Sequence, residues 1–156
     1  MAGKTHNIAI GGLVTAREPD LLRTVLGSCV GIALCDPVRK IAGLAHAILP
    51  EATSESAQLG KFADQAVDNL IVKLLSEGAN KGRLIAKLAG GAAMFGNANN
   101  NGLGDRNVES ARARLKQHGI PILAEAVGGN RGRKMTFDPA TAQATVEIIG
   151  EEAETI

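Results

Sequence analysis

The sequence predicts an α+β domain (α/β in loose usage), and three observations carry that prediction. Apolar, β-branched runs of strand length recur along the chain. Two segments show helical spacing, and several strands follow one another with no helix between them. Antiparallel pairs joined by hairpins, with helices covering the sheet, satisfy this order better than a repeated βαβ winding. The 156 residues amount to one domain, 1–156, with both ends expected to fray.

Asn7–Val14 reads as a first strand, followed by a turn-prone stretch at Arg17–Asp20. Two apolar runs, Val25–Cys35 and Ile41–Leu49, flank Asp36-Pro37-Val38-Arg39-Lys40. Asp followed by Pro suits the first two positions of a type I turn, so the runs form a β-hairpin. Phe62, Ala66, Leu70 and Leu74 recur at every fourth residue, with Ala63, Val67 and Ile71 beside them. That spacing makes an amphipathic helix, stopped by Gly78. Arg83–Ala89 alternates like a strand, and residues 90–104 form a long loop. Its Asn-rich part, 97–101, reads as ordinary surface irregularity in preference to a lid. Asn107 caps a second helix, Val108 to His118, which ends at Gly119 before Pro121. Ile120–Val127, Lys134–Asp138 and Ala144–Ile149 complete the strands, the last two as a hairpin around Pro139-Ala140-Thr141. Glu151–Ile156 is expected to be a frayed tail.

Composition excludes several classes of function. Seventeen basic against sixteen acidic residues leave a formal net charge of +1, which argues against a nucleic-acid binder working through bulk charge. With three Phe and neither Trp nor Tyr, the chain has no stacking platform for single-stranded nucleic acid. Two Cys and three His are too few for most zinc frameworks, so no metal is expected. No apolar run has signal-peptide length or the ~20 residues needed to cross a bilayer. The expectation is a soluble, intracellular chain with reduced thiols and no membrane insertion.

The chemistry is concentrated in the hairpin. If Pro37 and Val38 are its two central turn residues, Cys29 and His46 face each other on paired strands, with Cβ atoms about 4.5–5.5 Å apart. An imidazolium beside a thiol favours the thiolate, and the same ring can protonate a leaving amine. Gly27 and Ser28 keep bulk away from the thiol, and a backbone N–H there can serve as an oxyanion donor. Taken singly, a free Cys and a His in an apolar segment are usually buried structural residues. Their pairing gives the catalytic reading its weight. Cys35 lies about 20 Å along the strand from Cys29, too far for a disulfide, and reads as structural. Gly128-Gly129-Asn130-Arg131-Gly132-Arg133 reads as a solvated turn rather than an anion-binding loop, with a face docking acidic protein helices as an intermediate reading.

Leu26-Gly27-Ser28-Cys29-Val30, Asp36-Pro37 and Ala45-His46-Ala47-Ile48-Leu49-Pro50 resemble the CheD family of chemoreceptor glutamine deamidases. The likeness continues through Lys61-Phe62-Ala63-Asp64, Gly90-Gly91-Ala92-Ala93-Met94-Phe95, Gly104-Asp105-Arg106-Asn107-Val108 and Gly128–Arg133. It spans about residues 7–149. The resemblance implies two packed sheets flanked by helices, like the cysteine hydrolases of the cytotoxic-necrotizing-factor type. It implies hydrolysis of glutamine side chains on the cytoplasmic helices of chemotaxis receptors, through a cysteine thioester and without a cofactor. By position, Cys29 is the nucleophile, His46 the general base and acid, and Thr24 the third catalytic residue. Some members carry that threonine where this chain has Arg23. The family also implies a CheC-type phosphatase as a possible partner. A non-catalytic module binding receptor or phosphatase is the alternative, and a hydrolase of small amides is a third reading.

Overall fold

The computed structural model describes residues 3–94 and 102–156. In chain order these form β1 (Thr5–Asn7), β2 (Leu13–Arg17), β3 (Leu21–Leu26), β4 (Val30–Asp36), β5 (Ile41–Ala47), α1 (Ala63–Ser76), β6 (Ile85–Gly90), α2 (Leu103–Gln117), β7 (Ile122–Val127), β8 (Arg133–Asp138), β9 (Gln143–Ile148) and β10 (Glu154–Thr155). The strands make two five-stranded sheets, ordered β1-β3-β8-β9-β10 and β2-β5-β4-β6-β7. β1 with β3 and β6 with β7 run parallel, and the other pairs are antiparallel. The architecture is therefore α+β, with two mixed sheets and two helices.

Side-chain alternation stacks these elements into three layers. Val30, Ile32, Leu34, Ile41 and Ala45 meet Val67, Leu70 and Leu74 of α1 and Val108, Ala111 and Leu115 of α2. The opposite face of the same sheet, with Ala33, Cys35, Ala42 and Leu44, closes on Leu22, Leu26, Met135, Phe137 and Val146 of the other sheet. β4 and β5 are covered on both faces and are buried throughout, which is why they read as near-continuous apolar runs. On β3 the outer face is open, so Leu22 and Leu26 are buried while Val25 is 65% exposed. Phe137 is fully buried between the sheets, a position where truncation to Ala costs about 3–5 kcal/mol.

Both helices end at the glycines the sequence marks. Gly78 and Gly119 take positive φ, and the residues after them, Ala79 and Ile120, donate back to the Leu74 and Leu115 carbonyls, each at 3.0 Å. The helices are joined by the Asp68 carboxylate, which accepts from Arg114 Nε and His118 Nε2, both at 2.8 Å.

Several expectations are corrected. Asn7–Val14 is two strands in different sheets, because the chain crosses between layers at residues 8–12. Val25–Cys35 is likewise broken: β3 belongs to one sheet, β4 to the other, and Gly27-Ser28-Cys29 is the corner between them. The hairpin loop has four residues, Pro37 to Lys40, with Lys40 left-handed at φ 53 and the Asp36 carboxylate accepting from Val38 and Arg39 N–H at 3.0 and 3.2 Å. The longer loop shifts the pairing, so His46 faces Gly31, and Cys29 precedes the last pair, Val30 with Ala47. α2 begins at Leu103, so Asn107 lies inside the helix instead of capping it. Toward the ends, the described residues are paired: β1 with β3, and β10 with β9, so 151–156 is not a loose tail. Ile156 exchanges both backbone hydrogen bonds with Ala144, at 2.8 and 3.1 Å. The Asn-rich stretch 97–101 lies outside the described residues.

Asp36 anchors the hairpin. Its buried carboxylate also accepts from Asn80 N–H at 2.9 Å and from the Arg83 guanidinium at 3.0–3.2 Å. Burial pushes its pKa up, but the guanidinium and three backbone amides outweigh that and hold it at about 2.

Candidate active site

Four connections switch between the sheets, and the predicted site residues lie on or beside two of them, 8–12 and 27–29, at the seam between the layers. β5 places His46 on the face turned toward the other sheet. Its main chain is held by the 8–12 segment: His46 N–H donates to the Gly12 carbonyl at 3.0 Å, and Gly11 N–H to the His46 carbonyl at 2.9 Å. Thr24, only 3% exposed, comes from β3 on the opposite side. Its Oγ1 is 2.8 Å from the Ile8 carbonyl and 2.7 Å from His46 Nδ1.

Those two contacts set the histidine tautomer. A carbonyl only accepts, so the Thr24 hydroxyl hydrogen goes to Ile8. Oγ1 must then accept from His46, which puts the ring hydrogen on Nδ1 and the lone pair on Nε2. Nε2 is buried and, among the described residues, has no hydrogen-bond partner. Burial also lowers the pKa of the ring, so it is a neutral base with its basic nitrogen free.

Cys29 is half-buried and packs against the inter-sheet cluster. Every carbonyl of its corner is pinned. Gly27 accepts from Ala92 N–H at 2.9 Å, Cys29 from Gly91 N–H at 2.8 Å, and Ser28 from Asn107 Nδ2 at 3.0 Å. Burial pushes the thiol pKa up, opposed by the residue's own N–H, which faces the sulfur. Thiol and imidazole are thus both neutral in this state. They are brought to the same seam but not hydrogen-bonded, since Nε2 has no partner among the described residues.

The other predicted residues separate clearly. Gly27 lies under Met94, whose Cγ would be 3.1 Å from an added Cβ. Arg23 lies one residue from Thr24 and so on the opposite face of the strand; its Nε donates to Asn7 Oδ1 at 3.0 Å, away from the site. Cys35 is buried, and burial with the neighbouring Asp36 charge pushes its thiol up to about 12. In the 128–133 turn, Arg133 is not solvated but buried, donating to the Ala126, Gly128 and Arg131 carbonyls. Beside the Cys29 corner is a cleft of about 220 Å³ lined by Gly91, Ala93, Gly104, Asp105, Gly128 and Gly129. A larger one of about 470 Å³ between α2 and β7 contains none of the site residues. Among the described residues, no group of three or more His, Cys, Asp or Glu could hold a metal ion. No helix among them is long and apolar enough to cross a membrane.

One residue at the site escapes sequence reasoning. Asn107 is fully buried, and its Nδ2 donates to both the Ser28 and Ile48 carbonyls, at 3.0 and 2.9 Å. The only signal was an Asn beside a predicted helix start, which propensity assigns to capping.

Comparison with known proteins finds relatives along nearly the whole chain. The family model described as CheD chemotactic sensory transduction matches residues 48–148. A Caldanaerobacter subterraneus protein named probable chemoreceptor glutamine deamidase CheD is 43% identical over 156 residues, covering 96% of each chain. The Halalkalibacterium halodurans chemoreceptor glutamine deamidase CheD is 42% identical over 149 residues, covering 91% of this chain and 92% of its own. In fold, the chain is similar to a crystal structure of a Neisseria meningitidis DUF152 protein, with a TM-score of 0.50 at 9% identity, covering 87% of this chain and 75% of that one. With relatives this similar along nearly its whole length, the chain belongs to the CheD family.

Proposed function

We propose that this chain is a chemoreceptor glutamine deamidase, a single catalytic domain that hydrolyses receptor glutamine side chains to glutamate and ammonia. The observation that carries the reading is the Thr24–His46 pair, which presents an unpartnered, neutral Nε2 at the seam that also holds the half-exposed Cys29 thiol. In the mechanism, Nε2 takes the Cys29 proton as the sulfur attacks the carboxamide carbon and the carbonyl oxygen becomes an oxyanion. The intermediate collapses, the C–N bond breaks, and the imidazolium returns its proton to the departing ammonia. A thioester remains. Nε2 then accepts a proton from water, the hydroxide adds to the thioester carbon, and cleavage of the C–S bond releases glutamate while the sulfur recovers its proton. Thr24 holds the ring through both halves by accepting from Nδ1–H. Because thiol and imidazole start neutral, the proton passes from sulfur to Nε2 as the sulfur attacks, and the resting site needs no thiolate–imidazolium pair.

The substrate glutamines implied by the family lie on cytoplasmic receptor helices, so the reaction belongs to the cytoplasm. A CheC-type phosphatase is a proposed additional partner, testable by co-purification. A non-catalytic binding role has one observation in its favour, the protonated Cys29 thiol without a hydrogen bond to His46. Ammonia release on incubation with receptor cytoplasmic fragments separates the two. The enzyme releases it and Cys29→Ser does not, whereas a binding module releases none in either form.

A further inference from the structure

Asn107 sits in the apolar layer between α2 and the sheet, close in sequence to the buried Val108 and Ala111. Only half of its amide is used. Nδ2 makes two hydrogen bonds to carbonyls of the Cys29 corner and of the chain just beyond β5, while Oδ1 is buried with no partner among the described residues. A side chain kept for helix stability or for filling space would do better as an aliphatic group, because the unpaired oxygen carries a desolvation cost. What an aliphatic group cannot supply is the donor on the Ser28 and Ile48 carbonyls.

That donor has a directional consequence. A trans peptide is planar, with its C=O and N–H pointing in opposite directions. Drawing the Ser28 carbonyl toward α2 therefore turns the N–H of the same peptide, which is that of Cys29, to the other side. Among the described residues, this N–H donates to no other residue. The Gly27 and Cys29 carbonyls are also tied inward, by Ala92 and Gly91, so the corner cannot roll without breaking three bonds. We propose that Asn107 is a positioning residue for the reaction, holding the Ser28–Cys29 peptide so that the Cys29 N–H meets the oxyanion formed when the sulfur adds to the glutamine carboxamide. The second Nδ2 bond, to Ile48, ties the same amide to the chain two residues beyond His46, so one side chain sets the spacing of nucleophile and base.

This inference rests on Cys29 being the nucleophile of a deamidase, and the test keeps the two apart. Asn107→Ala and the isosteric Asn107→Asp are compared with wild type and Cys29→Ser for deamidation of a receptor fragment and for alkylation of Cys29 by iodoacetamide. Alkylation needs the sulfur but no oxyanion donor. Loss of one such donor typically lowers turnover about 10²-fold. Both Asn107 variants are expected to lose kcat by about that factor, with KM unchanged and Cys29 alkylation within about threefold of wild type. Wild-type kcat in either folded variant overturns the proposal while leaving the deamidase reading intact. So does a loss of alkylation equal to the loss of turnover, which would place the effect on the thiol. If neither variant attains the wild-type circular dichroism, Asn107 is a folding determinant and the proposal fails. Absence of turnover in wild type would instead overturn the deamidase reading itself.

Discussion

Replacing Thr24 with Val removes one hydroxyl and keeps the shape of the side chain. Two groups lose their partner in the interior: the Ile8 carbonyl and the Nδ1–H of His46, whose ring is 2% exposed. Each buried, unpaired group costs about 1–3 kcal/mol, so the variant should lose about 2–4 kcal/mol of stability after local relaxation. For a chain of this size that lowers Tm by about 5–12 °C. Activity should fall further than stability explains, because the imidazole loses the acceptor that fixes its tautomer. A kcat decrease of about 10–100-fold, or about 1.4–2.8 kcal/mol of activation free energy, is expected with KM little changed. Thr24→Ser retains the hydroxyl and should stay within about threefold of wild type. The assay is ammonia release from a receptor fragment at a temperature well below both melting points. Wild-type kcat in Thr24→Val would refute the tautomer argument. An equal loss in Thr24→Ser would show that the methyl group matters and the hydrogen bond does not.

Gly90→Ala would place a Cβ 2.3 Å from the Cys29 carbonyl oxygen at a residue with φ 101, so the nucleophile corner must move. A loss of about 1–3 kcal/mol in urea unfolding is expected together with reduced turnover; unchanged turnover would show that the corner tolerates displacement. Iodoacetamide should modify Cys29 in the folded protein and spare Cys35, which is buried and has its thiol pushed up to about 12; equal labelling seen by peptide mass mapping would contradict this. The folded-state pKa of Asp36, about 2, lies below its ordinary 3.8. Its stabilising contribution is therefore complete above about pH 4 and is lost as pH falls toward 2, a loss of about 2 kcal/mol. Asp36→Asn should lower stability at pH 7 and flatten that acid limb in urea titrations. An unchanged limb would place the acid sensitivity elsewhere.

The secondary structure was legible where local chemistry decides it. The four-residue apolar spacing of α1 and the stops at Gly78 and Gly119 are properties of short segments, and they appear where the residues indicate. The sheet changes at 8–12 and 27–29 were not legible. A chain that leaves one sheet and enters another keeps its apolar run, and only the glycines at 11, 12 and 27 hint at the corner. The hairpin register failed for a related reason: Asp-Pro announces a turn without stating its length, and Lys40 in a left-handed conformation adds the residues that move His46 opposite Gly31. Thr24 was legible only through family resemblance, since nothing in Leu22-Arg23-Thr24-Val25 distinguishes a histidine partner from an ordinary strand threonine. Asn107 was misread because capping is the local preference of asparagine, whereas its partners, Ser28 and Ile48, are distant in sequence.

The most direct test of the central claim is mass mapping of receptor peptides after incubation with the wild-type protein and with Cys29→Ala. Wild type should raise particular glutamine-containing peptides by about one dalton each, the replacement of NH₂ by OH, and the variant should leave them unchanged. Receptor peptides of unchanged mass after wild-type treatment, or the same gain with Cys29→Ala, would contradict the account.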